Sequence, residues 1–170
     1  MLHRVLLVFF LAATCACPLP SPMYSSYVNS TSSYINQISS GNTPGAPSPA
    51  EVDRALGVFV EVCGTKYGVD KCKAAIYAVK LEWSGVVAPS PSTGVLTTVV
   101  VYGGVLYAGL NVGNFVMVAW RGKISRSALV HELCHVVGAN ILGDPNPNHT
   151  NVALAQLEQD TNIRLGTLGL

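Results

Sequence analysis

Three histidines and one glutamate lie close together in the second half of the chain. The sequence reads H-E-L-C-H from His131 to His135, with Glu132 as its second residue, and His149 follows fourteen positions after His135. Two histidines four residues apart on an α-helix project from the same face, about one turn apart, so both can bind one metal ion. Glu132 can then accept a proton from a metal-activated water. The pattern predicts metal-assisted hydrolysis. Three nitrogen ligands and one water suit Zn²⁺ better than other metals, so zinc is the expected ion.

Composition limits the classes of protein to which the chain can belong. It has 170 residues, of which 49% are hydrophobic and 11% charged, and its formal net charge is +1. This length suits one domain. Because the charge is close to zero, no broad basic surface is available for phosphates, and nucleic-acid binding is not expected.

The N-terminus resembles a secretory leader. Arg4 precedes an apolar run that ends in small residues and is shorter than the roughly 20 residues needed to span a bilayer. We interpret residues 1–17 as a signal peptide. Cys15 and Cys17 each end a run similar to a bacterial lipoprotein box, although Thr14 departs from the usual pattern in both. The expected location is therefore the bacterial cell envelope, through a lipidated cysteine, or the outside of the cell; an uncleaved anchor is the alternative.

The remaining cysteines are Cys63, Cys72 and Cys134. An exported chain permits disulfides, and Cys63 and Cys72 flank a segment long enough to turn back on itself. We predict a disulfide between them. Cys134, between the two helix histidines, is predicted to be a buried small residue and not a metal ligand.

Composition also divides the chain into regions. Residues 18–47 are rich in Ser, Asn, Thr, Pro and Gly, which predicts a disordered tether. Ser48 and Glu51 have the spacing of a capping box with Pro49 at the first helical position, so a helix should begin there and end near Gly64. The predicted folded domain is therefore 48–170.

The rest of the domain combines strands with two further helices. Residues 73–83 are ambiguous, with a strand favoured in the second half. Three β-branched or aromatic runs follow and predict an antiparallel meander over 94–102, 105–110 and 114–120. A buried helix carrying H-E-x-x-H should then end at Gly138, and another helix should cover 151–164. The expected fold class is α+β, with a small antiparallel or mixed sheet packed against the active-site helix and flanking helices.

This order of elements resembles the zincin metallopeptidases over residues 97–164. The H-E-L-C-H run with a histidine fourteen residues further on is most similar to the SprT-like group. That resemblance implies a zincin-like fold, zinc ligation by His131, His135 and His149, and Glu132 as the general base. Thr150 stands where that group usually has glycine, no cysteine-rich zinc ribbon follows, and a secretory leader is foreign to its DNA-associated members. The site is carried over, but not the biology of that group.

Two other residues are alternatives to His149 as the third ligand. Asp144 lies nine positions beyond His135, and Glu158 would match the later-helix glutamate of gluzincins. Asp144 could instead orient a ligand imidazole through its second nitrogen. A metzincin site is excluded because Ile141 occupies the position of that family's third histidine.

The leading functional hypothesis is a zinc metallopeptidase whose substrate is a protein, a cell-wall peptide or the chain itself. The strand at 114–120 could pair with an extended peptide. Tyr102 or Tyr107 could stabilise an oxyanion, although strand packing is the favoured role of both tyrosines. The alternative is a noncatalytic metal-binding envelope lipoprotein, and a third hypothesis is a structural envelope protein with a chance motif. An ion pair from Glu132 to Arg126 or Lys123 would explain the glutamate without catalysis.

Overall fold

The computed structural model describes residues 32–39, 43–90, 92–146 and 148–170. Within these residues the fold is α+β, with four α-helices and two small sheets. In chain order the elements are β1 (Gln37–Ser39), α1 (Pro49–Tyr67), α2 (Val69–Ile76), β2 (Lys80–Ser84), β3 (Val86–Pro89), β4 (Leu96–Tyr102), β5 (Val105–Tyr107), β6 (Gly109–Val112), β7 (Phe115–Ala119), a 3₁₀ turn (Ile124–Arg126), α3 (Leu129–Val137), a π-helical turn (Gly138–Leu142) and α4 (Val152–Thr167).

The larger sheet is mixed and has the order β1-β2-β7-β6. The β1–β2 and β2–β7 pairs are parallel, whereas β6 and β7 are antiparallel. In β2 the side chains alternate, so that Leu81 and Trp83 are buried and Lys80 is exposed. This alternation turns one face of the sheet towards the helices.

The strand expected to pair with a peptide is not an edge strand. We predicted pairing along 114–120, but β7 lies between β2 and β6 and is hydrogen-bonded on both sides. The prediction was wrong because β2, from a segment with mixed helix and strand propensity, adds in parallel to β7. In the described part of the chain, β6 and β1 form the two edges of the sheet.

The expected meander is divided between two sheets. The run at 105–110 breaks at Ala108 into β5 and β6. β5 pairs with β4 in a three-stranded sheet of order β3-β4-β5, whereas β6 pairs with β7. Among the described strands, the antiparallel pairs are β3–β4, β4–β5 and β6–β7. The chain passes from the smaller sheet to the larger one at Ala108, between β5 and β6.

The first helix begins as predicted and ends later. Ser48 and Glu51 form a reciprocal capping box. Gly64 does not end the helix, which continues to Tyr67; instead, Gly64 lets α2 approach, because a Cβ there would lie 2.4 Å from Cγ2 of Val69. The predicted disulfide is confirmed: Cys63 and Cys72 are bonded and join α1 to α2.

Part of the predicted tether belongs to the folded domain. β1 falls within 18–47, and both Ile35 and Ile38 are buried against the core. The expected start of the domain at residue 48 was therefore too late, because two apolar side chains in a polar segment suffice to add a short strand to β2. The predicted signal peptide and its cysteines lie outside the described residues.

The core lies between the larger sheet and the four helices. Helix α3 packs on β6 and β7 and also contacts α2 and α4. It is therefore enclosed on most sides, which fixes the direction of the side chains that it carries. None of the described helices has the length and apolar character needed to cross a bilayer.

Candidate metal centre

Helix α3 buries its apolar side chains and turns two histidines towards a pocket. Leu129, Val130 and Leu133 are buried in the core, whereas His131 and His135 are only half-buried. One helical turn separates the two imidazoles, whose ring centroids lie 4.8 Å apart. The i, i+4 spacing thus brings both rings to one side of the helix, as predicted from the sequence.

The second nitrogen of each helix histidine is held by an oxygen. Nδ1 of His131 lies 3.0 Å from Oε2 of Glu158, and Nδ1 of His135 lies 2.6 Å from the carbonyl oxygen of Pro145. An ionised carboxylate and a carbonyl only accept hydrogen bonds, so each Nδ1 carries the proton and donates it. In a neutral imidazole Nε2 is then unprotonated. Two Nε2 lone pairs therefore share one small space, and a cation would stabilise them.

A tight loop returns the chain so that His149 faces the other two histidines. Helix α3 ends at Gly138, as predicted, although the backbone of Gly138 stays right-handed; a π-helical turn over Gly138–Leu142 continues from it and ends at Gly143, whose φ is 70°. A Cβ on Gly138 would lie 2.5 Å from the carbonyl oxygen of Asp144. The absence of a side chain at Gly138 therefore lets the returning loop pass close to the helix.

Asn146 organises the end of this loop. Its backbone carbonyl accepts a hydrogen bond from the His149 N–H at 3.0 Å, and its side-chain oxygen accepts one from the Asn151 N–H at 2.9 Å. Asn146 and His149 both have left-handed backbones, with φ of 53° and 55°. Such conformations cost free energy for residues other than glycine, although asparagine tolerates them better than most. The loop's hydrogen bonds hold His149 in this strained position.

The three imidazoles have the spacing of a metal site. The Nε2 atoms of His131 and His135 lie 3.2 Å apart, as do those of His135 and His149. One ligating atom from each of the three lies within 4.8 Å of the others. In a tetrahedral zinc site with Zn–N bonds of about 2.0–2.1 Å, neighbouring nitrogens are about 3.3 Å apart. The three histidines could therefore hold a metal ion with little rearrangement.

The alternative ligands lie elsewhere. The carboxylate of Asp144 accepts the Asn146 N–H within the loop, and Pro145, not Asp144, orients His135. Glu158 contacts the far nitrogen of His131 and so acts as its hydrogen-bond partner. Cys134 is a buried free thiol, as predicted, and burial raises its pKa far above the ordinary value. Among the described residues, the cluster that could hold a metal consists of the three histidines.

Glu132 is a buried residue whose carboxylate has no partner among the residues that the structure describes. Its side chain is on the wall of the histidine pocket and the residue is 5% exposed. Burial raises the pKa of its carboxyl to about 7; His131 lowers that pKa and Glu158 raises it. Within the described ranges no hydrogen bond or ion pair to this carboxylate is found, including from Arg126 or Lys123. Burying such a group is costly unless a ligand completes it.

The backbone of β6 forms the opposite wall of this pocket. Gly109 and Asn111 line the cavity of about 450 Å³ together with the histidines and Glu132. A Cβ on Gly109 would lie 2.6 Å from Oε1 of Glu132 and 2.8 Å from Cβ of Ala128. The glycine therefore makes room for the carboxylate. Tyr107 also lines the cavity, whereas Tyr102 is exposed on β4 and does not.

Sequence reasoning missed three features of the centre. From the sequence, Glu158 was considered only as a metal ligand. A glutamate on the helix after the histidines could equally have been predicted to accept a hydrogen bond from the Nδ1 of a ligand histidine. The Pro145 carbonyl gives no side-chain signal at all. Asn146 carries a weak signal, because asparagine in a Pro-rich turn is a frequent left-handed residue.

Three comparisons with known proteins were made for this chain. Neither protein-family models, nor curated protein sequences, nor solved structures gave a match to it. Any assignment of function therefore depends on the geometry of its own residues.

Proposed function

We propose that this protein is a zinc-dependent metallopeptidase of zincin type that hydrolyses peptide bonds with Glu132 as the general base. The observation that supports this most strongly is that one pocket contains both three converging imidazoles and the carboxylate of a buried glutamate, which has no hydrogen-bond or ion-pair partner among the described residues. A purely structural metal site has no need for such a carboxylate. The expected ligands are His131, His135 and His149.

In the proposed reaction, the zinc ion and the side chains of the protein have different roles. Bound zinc would polarise the scissile carbonyl and make water a stronger acid. The three imidazoles would hold the ion through Nε2, and Glu158 and the Pro145 carbonyl hold two of the rings in the required tautomer. Glu132, on the wall of the same pocket, would accept the proton of the attacking water and pass it to the leaving amine.

The edge of β6 supports a peptide as the substrate. Ala119 donates its N–H to the carbonyl of Ala108 at 3.0 Å, which makes these two residues a hydrogen-bonded pair of the antiparallel ladder. Alternate residues of β6 therefore point their N–H and C=O groups away from β7, and these are Gly109 and Asn111. Both line the histidine pocket. An extended peptide can pair with these backbone groups and pass beside Glu132.

The proposal includes export of the protein to the bacterial cell envelope or beyond. The apolar leader with Arg4, the lipoprotein-like runs at Cys15 and Cys17 and a disulfide that an oxidising compartment favours all support it. Lipidation of a cysteine would attach the domain to a membrane.

The test compares the full-length protein with two glutamine variants. Metal content and hydrolysis of fluorescein-labelled casein are measured for the wild type, for Glu132→Gln and for Glu82→Gln. Glu82 is a half-buried glutamate of β2, so it controls for the same change away from the pocket. We expect one zinc per chain in all three, and hydrolysis lowered by about 10²–10⁴-fold in Glu132→Gln alone.

Each contrary result removes a defined part of the proposal. Equal hydrolysis by the wild type and Glu132→Gln, with metal retained, would refute the general base. Stoichiometric zinc without hydrolysis by the wild type would favour the noncatalytic metal-binding lipoprotein. A protein that binds no metal would refute the centre itself.

A further inference from the structure

The turn between β4 and β5 exposes apolar side chains. Val101, Tyr102 and Val105 are 49%, 50% and 51% exposed. The other two residues of 101–105 are glycines, and we call these five residues the β4–β5 tip. Tyr107, two residues beyond the tip, lines the histidine pocket, whereas the tip itself does not. The proposed reaction therefore leaves the tip without a role.

The sequence around the tip carries no charge. Between Glu82 and Arg121 there is no Asp, Glu, Lys, Arg or His, although this stretch contains five strands. Exposed strand ends usually carry charged side chains, which discourage contact with other molecules. Clustered apolar side chains without that protection mark a surface that binds something apolar.

Apolar side chains project from both faces of the tip. Tyr102 and Val105 are cross-strand partners and so share one face of the hairpin. Val101, the neighbour of Tyr102 along β4, points to the opposite face. A folded partner that packs on one face of a hairpin leaves the other face in water, whereas a fluid apolar phase covers both. The arrangement therefore favours a lipid bilayer over a second protein.

The backbone of the tip suits a shallow position in a bilayer. The β4–β5 ladder continues as far as the Tyr102–Val105 pair, and the turn consists of Gly103 and Gly104, with φ of 57° and 79°. Unpaired peptide groups make most loops costly to insert into lipid, and a two-residue turn leaves few of them. Tyrosine is enriched at membrane–water interfaces, where its hydroxyl stays hydrated. The tip can thus enter the interfacial region without breaking the hydrogen bonds of its strands.

The length of chain before the described domain keeps that domain near a membrane if Cys17 is lipidated. Residues 18–31 separate Cys17 from Ser32, the first described residue. Fully extended, they span at most about 50 Å. A domain of this size has a radius of gyration of about 14 Å. The domain would therefore remain beside the bilayer, and its uncharged tip is the part of its surface that lipid covers at least cost.

We propose that the β4–β5 tip inserts into the interfacial region of a lipid bilayer and holds the histidine pocket at the membrane surface. Val101, Tyr102 and Val105 make the contact, which needs no charged headgroup. Tyr107 lies about 7 Å further along the strand than Val105, so the pocket opens close to the headgroups. The peptide substrate is then a segment near the membrane. That last step rests on the proposed peptidase function, whereas the insertion of the tip does not.

The test measures binding to phosphatidylcholine vesicles by flotation. Protein from residue 18 onward has neither leader nor lipid but keeps every residue that the structure describes, so binding reports on the folded domain. The double variant Val101→Thr/Val105→Thr preserves β-branched shape and replaces two methyl groups by hydroxyls. It should lower the partition coefficient about tenfold. The control Val69→Thr/Val152→Thr makes the same change at exposed valines of α2 and α4 and should leave partition unchanged. Equal midpoints in denaturant titrations check that all variants fold.

The lipid and salt dependence complete the test. Because the tip is uncharged, partition should not change between about 0.05 and 0.5 M NaCl. Absence of vesicle binding by the wild type, or equal binding by the wild type and the tip variant, would overturn the proposal. Binding that requires phosphatidylglycerol and disappears in salt would assign the contact to basic residues instead. A dimer in sedimentation velocity that the tip variant cannot form, without vesicle binding, would make the tip an interface between copies. None of these measurements needs zinc or hydrolysis, so the tip and the peptidase can fail independently.

Discussion

Replacement of Glu158 by alanine should weaken zinc binding without abolishing it. The carboxylate accepts a hydrogen bond from the Nδ1–H of His131 at 3.0 Å and so keeps Nε2 of that ring free for the metal. Removing such a partner usually costs 10–100-fold in metal affinity. Here both side chains are about one third exposed, at 33% and 34%, so water can partly replace the lost acceptor. We therefore expect the lower end of the range, about tenfold or about 1.4 kcal/mol.

A conservative change at the same position gives an intermediate result. In Glu158→Gln the carbonyl oxygen can still accept from His131, but the bond loses its charge assistance, which is about half of its strength. The expected loss is therefore about threefold. Asp160→Ala is the matched control, since this nearby acidic residue of α4 accepts a hydrogen bond from Gln156 and has no hydrogen bond to a histidine within the described ranges.

Competition with a chromophoric chelator measures all four affinities. An affinity in Glu158→Ala equal to that of the wild type would refute the assigned role of the carboxylate. Complete loss of zinc binding would instead show that Glu158 is itself a ligand.

Two further substitutions test how the backbone makes room for the centre. Gly109→Ala should push the Glu132 carboxylate away and lower hydrolysis by at least about 10²-fold, while the zinc content stays at one per chain. Gly166→Ala is the control, because a Cβ at Gly166 meets nothing within 4 Å, and it should change neither hydrolysis nor zinc content. A fully active Gly109→Ala variant would contradict the close approach of Gly109 to Glu132. Asn146→Ala should lower the free energy of unfolding by about 2 kcal/mol, from one lost hydrogen bond and a left-handed alanine, and weaken zinc binding through His149. Asn146→Gly should recover about half of that stability in denaturant titrations, and equal stability of the two variants would contradict the backbone contribution.

The features that could be predicted from the sequence are those that depend on residues close together in the chain. The spacing of His131 and His135, the capping box at Ser48 and the segment between the two bonded cysteines each depend on a few neighbouring residues. The position of His149 was also predicted, because a helix follows a turn of limited reach.

The features that could not be predicted depend on contacts between distant segments. β7 became an interior strand because β2 pairs with it from more than thirty positions earlier, and neither strand's own residues reveal that partner. The Gly138 contact with the returning loop and the Pro145 carbonyl at His135 are backbone approaches, which residue types do not encode directly. Local pattern thus predicted the histidines, while tertiary pairing determined what surrounds them.

The covalent link between α1 and α2 ends at Cys72. The three histidines, by contrast, are carried by α3 and by the loop that leads into α4, and neither has a covalent cross-link in the described part of the chain. Loss of the sulfur–sulfur bond would thus loosen the packing of α2 on α1 before it disturbed the three histidines. Thiol reductants and chelators should accordingly act on this protein in different ways, the first by lowering the stability of the α1–α2 pair and the second by removing the metal on which the proposed hydrolysis depends.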